Sequence, residues 1–271
     1  MKKNIIFMTL ALAGLVACEQ SVPYEKGAQM DLNGPNVYFS NYNTPEVILA
    51  SDATEFEVAL LRSDAKDALT VPLKGVCTID GIFDVPESVE FPSGVDSVNV
   101  KITVLDKIEM FKNYSLTLSV PEEYTHQYAL QDGYPACSVE VVKEDYVTYA
   151  EGLFYDTFWE ETAWAHTLQY SELLGNYRIK NPWGTGGEDF VFTWDGTEKV
   201  TMSAKKYATG ITHPSYGAIT ANILGAAYSH FAAGQLMETE CDAFLLDVEW
   251  TVSAGSFGEY PLFFIVTEVL K

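Results

Sequence analysis

Basic residues are scarce in this chain: 16 Lys and Arg stand against 38 Asp and Glu, a net charge of −22. Phosphate backbones are held by clusters of Lys and Arg, so nucleic acid is excluded as a partner. The deficit is even along the chain. Residues 18–143 hold 20 acidic and 8 basic side chains, and residues 144–271 hold 18 and 6. Acidity spread in this way reads as a solvated surface rather than an interaction tail. Histidine is also rare. His126, His166, His213 and His230 are isolated, with no HExxH spacing. The four cysteines form no CxxC pair, and no EF-hand loop is present, so the sequence points to no metal and no cofactor. Beyond residue 17 no apolar run is long enough to span a membrane. Tryptophan is missing from the first half; Trp159, Trp164, Trp183, Trp194 and Trp250 all lie in the second.

What is present begins at the N-terminus. Lys2 and Lys3 precede an apolar run from Ile5 to Val16, which closes on Leu15-Val16-Ala17-Cys18. This string resembles the lipobox of bacterial lipoproteins. The resemblance implies a signal peptide over residues 1–17, cleavage before Cys18 and acylation of that cysteine. Several acyl chains on one residue anchor far better than a single chain. The expectation is a protein of the cell envelope, tethered to the outer membrane and exposed at the surface. Residues 18–35, with Pro23, Gly27, Gly34 and Pro35, read as a flexible tether. Export permits disulfides, and Cys77 and Cys137 are one candidate pair. Small core residues are the preferred reading of Cys77, Cys137 and Cys241.

Period-two alternation dominates the next hundred residues. It is clear in Phe56–Leu60, Val98–Val104 and Tyr114–Val120, with turn signals at Asn43-Thr44-Pro45, Asp80-Gly81 and Pro92-Ser93-Gly94. One face of each strand is therefore buried and one wet. The order "EFEVALLRS", "LTVPLKG", "IFDVPESVEFPSGVDSVNVKITV", "YSLTLSV" resembles a Calx-beta or immunoglobulin-like module. Some relatives of that kind bind calcium, but their acidic positions do not match here, and the resemblance carries the fold alone. Residues 144–271 continue as strand-like pieces joined by glycine turns. Ala221–Gln235 is ambiguous: its alanines suit a helix, while Gly225 and Gly234 weaken one. The fold class expected is all-β: an immunoglobulin-like β-sandwich over 36–143, then a β-rich meander or barrel-like domain over 144–271. "YRIKNPWG", "DFVFTWDG" and "HPSYG" resemble the C-terminal module of Bacteroidota lipoproteins, many associated with Sus-type glycan import. That resemblance implies a glycan and outer-membrane proteins as partners. It brings no catalytic motif.

Four features of the second half carry residue types found in functional sites. Gly184-Thr185-Gly186-Gly187 is followed by Glu188 and Asp189 and then a strand, where a phosphate loop needs Lys, Ser or Thr and a helix. It reads as a bend between strands. Ala254-Gly255-Ser256-Phe257-Gly258 imitates a nucleophile elbow but is followed by a strand, and reads as a hairpin turn. Glu160 and Glu161, with Asp156 nearby, are the carboxylates a glycosidase would need, yet adjacent strand residues face opposite ways. The tryptophans are the binding candidates, because sugar rings stack on such faces. Phe190, Phe192, Trp194 and Trp250 share apolar strand faces and read as core. Trp183 lies in a loop and Trp164 in a less regular stretch; both, with Trp159, are candidate ligand contacts. The leading expectation is non-catalytic glycan binding. The alternatives are a structural or adhesion subunit of an envelope assembly and, third, a carbohydrate-active hydrolase.

Overall fold

The computed structural model describes residues 35–126, 133–159 and 162–271. Cys18, the tether up to residue 34, Glu160 and Glu161 lie outside the described residues. The chain is all-β, and no helix among the described residues is long and apolar enough to cross a membrane.

The first half contains β1 (Val37–Ser40), β2 (Glu46–Ala50), β3 (Glu55–Arg62), β4 (Leu69–Pro72), β5 (Lys74–Cys77), β6 (Phe83–Asp84), β7 (Ser88–Phe91), β8 (Ser97–Val104), β9 (Tyr114–Ser119), β10 (Gly133–Tyr134) and β11 (Ala136–Glu144). One sheet has the order β10-β1-β3-β8-β6 and the other β2-β11-β9-β5, with β4 and β7 paired separately. This is an immunoglobulin-like sandwich. The alternation sets which side chains turn inward. Phe56, Val58 and Leu60 of β3 are buried, as are Val100, Ile102 and Val104 of β8 and Tyr114, Leu116 and Leu118 of β9. Val58 stands opposite Val100 in the antiparallel register, so one apolar layer runs across both strands. Arg62 closes one end of the layer. Its guanidinium donates to the carbonyls of Val95 (2.8 Å), Asp67 (2.6 Å) and Pro92 (2.8 Å) while lying over Phe91.

The candidate pairing of Cys77 with Cys137 is not made; both are free thiols. Cys77 stands opposite Leu116 and Cys137 opposite Leu118, so β9 lies between them. Two strand spacings, about 9–10 Å, exceed the reach of a disulfide. Both pack against the sandwich core, and burial pushes the Cys137 thiol up to about 11.

The second half is one curled sheet of β12 (Val147–Asp156), β13 (Trp164–Ser171), β14 (Asn176–Ile179), β15 (Phe190–Trp194), β16 (Val200–Met202), β17 (Lys206–His213), β18 (Gly217–Phe231), β19 (Cys241–Val252), β20 (Gly255–Glu259) and β21 (Leu262–Val269). Its order is β16-β15-β14-β13-β12-β21-β19-β18-β17, with β20 added beside β19. The two flanks approach each other. Lys199 bridges to Ala227, and the Tyr228 N–H donates to the Glu198 carbonyl at 3.0 Å. The Glu188 N–H donates to the Ala208 carbonyl at 2.8 Å. The sheet thus wraps a single aromatic-rich core of which Phe154, Phe190, Phe192, Phe244, Trp250 and Phe264 are fully buried members.

The ambiguous segment is strand for most of its length: β18 carries Ala221 to Phe231. Ala221 stands opposite Trp250, and a larger side chain there would compete with the indole for the same interior. Gly225 sits where the register shifts, with Asp247 Oδ2 3.0 Å from where its Cβ would be. Tertiary pairing with β19 overrides the helical preference of alanine.

The halves meet through Arg178 of β14. Its guanidinium is 2.8 Å from Glu144 and 3.5 Å from Asp189, and lies 3.7 Å over the ring of Tyr146. Its Nε–H donates to Gln169 at 2.9 Å. Phe111 of the first half meets the Tyr146 ring edge-on.

Candidate functional site

Three segments converge at one end of the curled sheet. β12 ends at Asp156 and turns through Thr157, Phe158 and Trp159. β13 starts at Trp164. Between β14 and β15 runs the loop that carries Trp183 and the glycines. Asp156, fully buried, ties two of them together. Its Oδ1 accepts from the N–H groups of Phe158 (2.9 Å) and Trp159 (3.3 Å), and its Oδ2 accepts from the Trp183 indole N–H (2.8 Å). The first of these contacts is the turn that an aspartate makes with backbone two residues on. The Trp164 indole N–H donates to the Pro182 carbonyl at 3.1 Å. Both indoles are therefore oriented by hydrogen bonds.

The glycines have a structural task. Gly187 presses against the backbone of Thr209, where no Cβ would fit. Gly210 has φ +73, and the Thr185 carbonyl lies 2.6 Å from its Cβ position. The Thr185 hydroxyl donates to the Thr209 carbonyl at 2.5 Å. The loop is thereby clamped onto β17, which brings Ile211 to the same end. The bend read from the sequence is a docked loop rather than a tight hairpin, and it cradles no anion: Asp189 accepts from the Asn181 N–H, and Glu188 from the Ala208 N–H.

The result is a cavity of about 590 Å³ lined by Trp159, Thr162, Trp164, Trp183, Thr185 and Ile211. All three candidate tryptophans line it. They are not equivalent. Trp159 is 36% exposed. Trp183 is half-buried and meets Phe154, Phe190 and Trp250 edge-on, with ring centroids 5.4–5.8 Å apart. Trp183 lies in a loop, as its sequence position implies, but the loop folds back and seats the indole on the core. Among the described residues the lining carries three indoles, one aliphatic side chain and two hydroxyl residues. Indoles and hydroxyls offer stacking and hydrogen bonding to a ligand. A larger hollow of about 710 Å³ lies beside β17–β20, but Lys205, Lys206, Asn222 and Glu249 contribute to its walls and no aromatic does.

The remaining candidates do not assemble. The Ser256 hydroxyl donates to the Trp250 carbonyl and accepts from the Gly258 N–H, inside the β19–β20 hairpin. His213 accepts from the Ser215 N–H, His166 from its neighbour Thr167, and His230 faces Asp242 at 3.0 Å. Among the described residues no group of three or more His, Cys, Asp or Glu side chains could hold a metal ion. Sequence reasoning missed the anchoring role of Asp156, although an aspartate ending a strand before Thr-Phe-Trp is a recognisable turn signal. Thr162, Thr185 and Ile211 had no such signal, since only the curl brings them together.

No family model matches this chain, and no curated protein matches it. Solved structures similar to it include the apo form of the Calx CBD1 domain, at 21% identity over 41% of this chain and 97% of that one, with a TM-score of 0.29. A Bacteroides ovatus protein of unknown function is 11% identical over 85% of this chain and 92% of its own, with a TM-score of 0.35. A multidomain protein including DUF1735, also from Bacteroides ovatus, is 10% identical over 84% and 90%, with a TM-score of 0.32. None of these likenesses carries an argument about activity.

Proposed function

We propose that this chain is a non-catalytic binding protein of the cell envelope, anchored through a lipid on Cys18, whose ligand is a glycan held among Trp159, Trp164 and Trp183. The observation that carries the reading is the convergence of these three indoles on one cavity with hydroxyl residues at Thr162 and Thr185. Sugar rings present apolar C–H faces to indoles and hydroxyls to side chains such as these. Oriented indoles lose little freedom on binding, which favours affinity. The acidic surface suits a protein kept soluble beside a membrane.

The test is quenching of tryptophan fluorescence by a panel of neutral oligosaccharides, with Trp159→Ala as the variant because its ring is the most exposed of the three. Saturable quenching that Trp159→Ala weakens at least tenfold supports the reading. Turnover of any of the sugars sinks the non-catalytic part of it. Metabolic labelling with palmitate, lost in Cys18→Ala, tests the anchor separately. Co-purification with an outer-membrane protein in the absence of any sugar binding would favour the assembly-subunit alternative.

A further inference from the structure

Aromatic rings do not stop at the cavity. Trp159 contacts Phe158 with ring centroids 4.5 Å apart, Phe158 contacts Phe257 at 5.6 Å, and Phe257 contacts Tyr216 at 6.0 Å. His213 lies between the last two, 4.8 Å from Tyr216 and 5.7 Å from Phe257. Tyr260 flanks Phe158 at 4.9 Å. A second route gives the same direction. Ile211 lines the cavity, and His213, two residues further along β17, is displaced from it by about 6.6 Å. Tyr216 then follows in the turn before β18, with half its surface exposed, and Tyr260 is 39% exposed. Phe158 and Phe257 are half-buried against the aromatic core, while Trp159, Tyr216 and Tyr260 around them are exposed, and exposed rings grouped in this way need a reason, since a core has no use for rings in solvent.

We infer that the site is elongated, running from the tryptophan cavity over Phe158 and Phe257 to His213 and Tyr216, and that it takes a neutral linear oligosaccharide of several units rather than one terminal sugar. This rests on the glycan reading above. The exclusion of anionic ligands follows from charge: among the described residues the cavity lining has no cation, and a chain of net charge −22 repels polyanions. The length follows from the spread of the exposed rings, Trp159 at the cavity and Tyr260 and Tyr216 beyond it, with the half-buried Phe158 and Phe257 forming the floor between them. A proline-rich peptide also docks on aromatic grooves, but the cavity at the head of the row is flanked by Thr162 and Thr185, whose hydroxyls match sugar hydroxyls.

Titration of the full chain in detergent with cello-, malto-, manno- and xylo-oligosaccharides of one, three and six units tests this. In the series that binds, the hexamer is expected to bind at least tenfold more tightly than the single sugar. Tyr216→Ala should remove most of that gain, about tenfold on the hexamer, and leave the single sugar unchanged. Trp159→Ala should weaken every length. Near-UV circular dichroism confirms that both variants are folded. Affinity independent of length, or a hexamer indifferent to Tyr216→Ala, overturns the elongated site while leaving a glycan cavity. Binding of a proline-rich peptide along the row, with none of the sugars bound, overturns both.

Discussion

The two halves bury their apolar residues differently. The sandwich closes two sheets on a layer that is mainly Val, Leu and Ile, with Phe39, Phe56 and Phe91 among them. The second half bends one sheet round Phe and Trp side chains. Two facing sheets about 10 Å apart are filled by aliphatic side chains that interdigitate. A curled sheet has a wider interior, which large rings fill, and it has open ends. At one end the rings do not fill the space, and the cavity results. The cavity is therefore a consequence of the second architecture; the hollows beside Arg62 and Asn43 in the sandwich are smaller, about 200 and 260 Å³.

The largest test of that contrast is Trp250→Ala. Trp250 is fully buried at the centre of the aromatic core, and its loss should cost about 3–5 kcal/mol. Every tryptophan lies in the second half, so fluorescence follows its unfolding alone. The expected outcome is a fluorescence transition shifted to lower denaturant, with a separate sandwich transition left in place by circular dichroism. A shift of both together would mean the halves unfold as one unit.

Arg178→Ala addresses the junction directly. It leaves Glu144 and Asp189 without their cation, and breaking a buried pair costs about 3–5 kcal/mol, less here for the more exposed Asp189. Both transitions should move, unlike in Trp250→Ala; an unchanged sandwich would show that the junction contributes to the second half only.

Within the site, Trp183→Ala and Trp159→Ala should part. Trp183 sits on Phe154, Phe190 and Trp250, so its truncation should cost about 3 kcal/mol. Trp159→Ala should cost about 1 kcal/mol, the worth of its ring contacts. Equal losses in urea titrations would contradict the division between an anchor and an exposed platform. Asp156→Asn is smaller than the first of these. An amide group facing the Trp183 N–H leaves a donor unpaired, at about 1–3 kcal/mol. A fluorescence spectrum and stability unchanged in this variant would remove Asp156 from its anchoring role.

Alkaline titration gives the least effect. Burial first, then the neighbouring Tyr149 and Tyr170, push the Tyr177 phenol up to about 12. The unfolded phenol ionises near 10. Folding is thus favoured by this group below about pH 10, and that contribution is lost as pH rises towards 12. The melting temperature of the second half should fall over that window, with a late phase in tyrosinate absorbance. A single tyrosinate step near pH 10 would count against it.

Much of the fold is legible because strand alternation is a local property. Phe56, Val100 and Leu116 each have polar neighbours on either side, and the burial of each follows from that pattern alone. Phe190 and Phe192 are equally readable as core. Ala221–Phe231 is not, since alanine has no strand preference and the decision rests with β19 beside it. Nor is Cys77 with Cys137: the sequence places them in one sandwich, but the strand order inserts β9 between them.

Taken alone, the sequence determines an all-β chain of two halves, an excess of acidic side chains, the lipobox-like string at residues 15–18 and the loop position of Trp183, because each depends on composition or on neighbours along the chain. It also marks Trp159, Trp164 and Trp183 as the rings outside regular alternation. Only the tertiary structure decides that these rings share one cavity, that Asp156 ties Trp159 and Trp183 together and that ring contacts continue to Tyr216. Those facts depend on sheet register and curl, which bring together residues from Asp156 to Phe257 that share no local pattern.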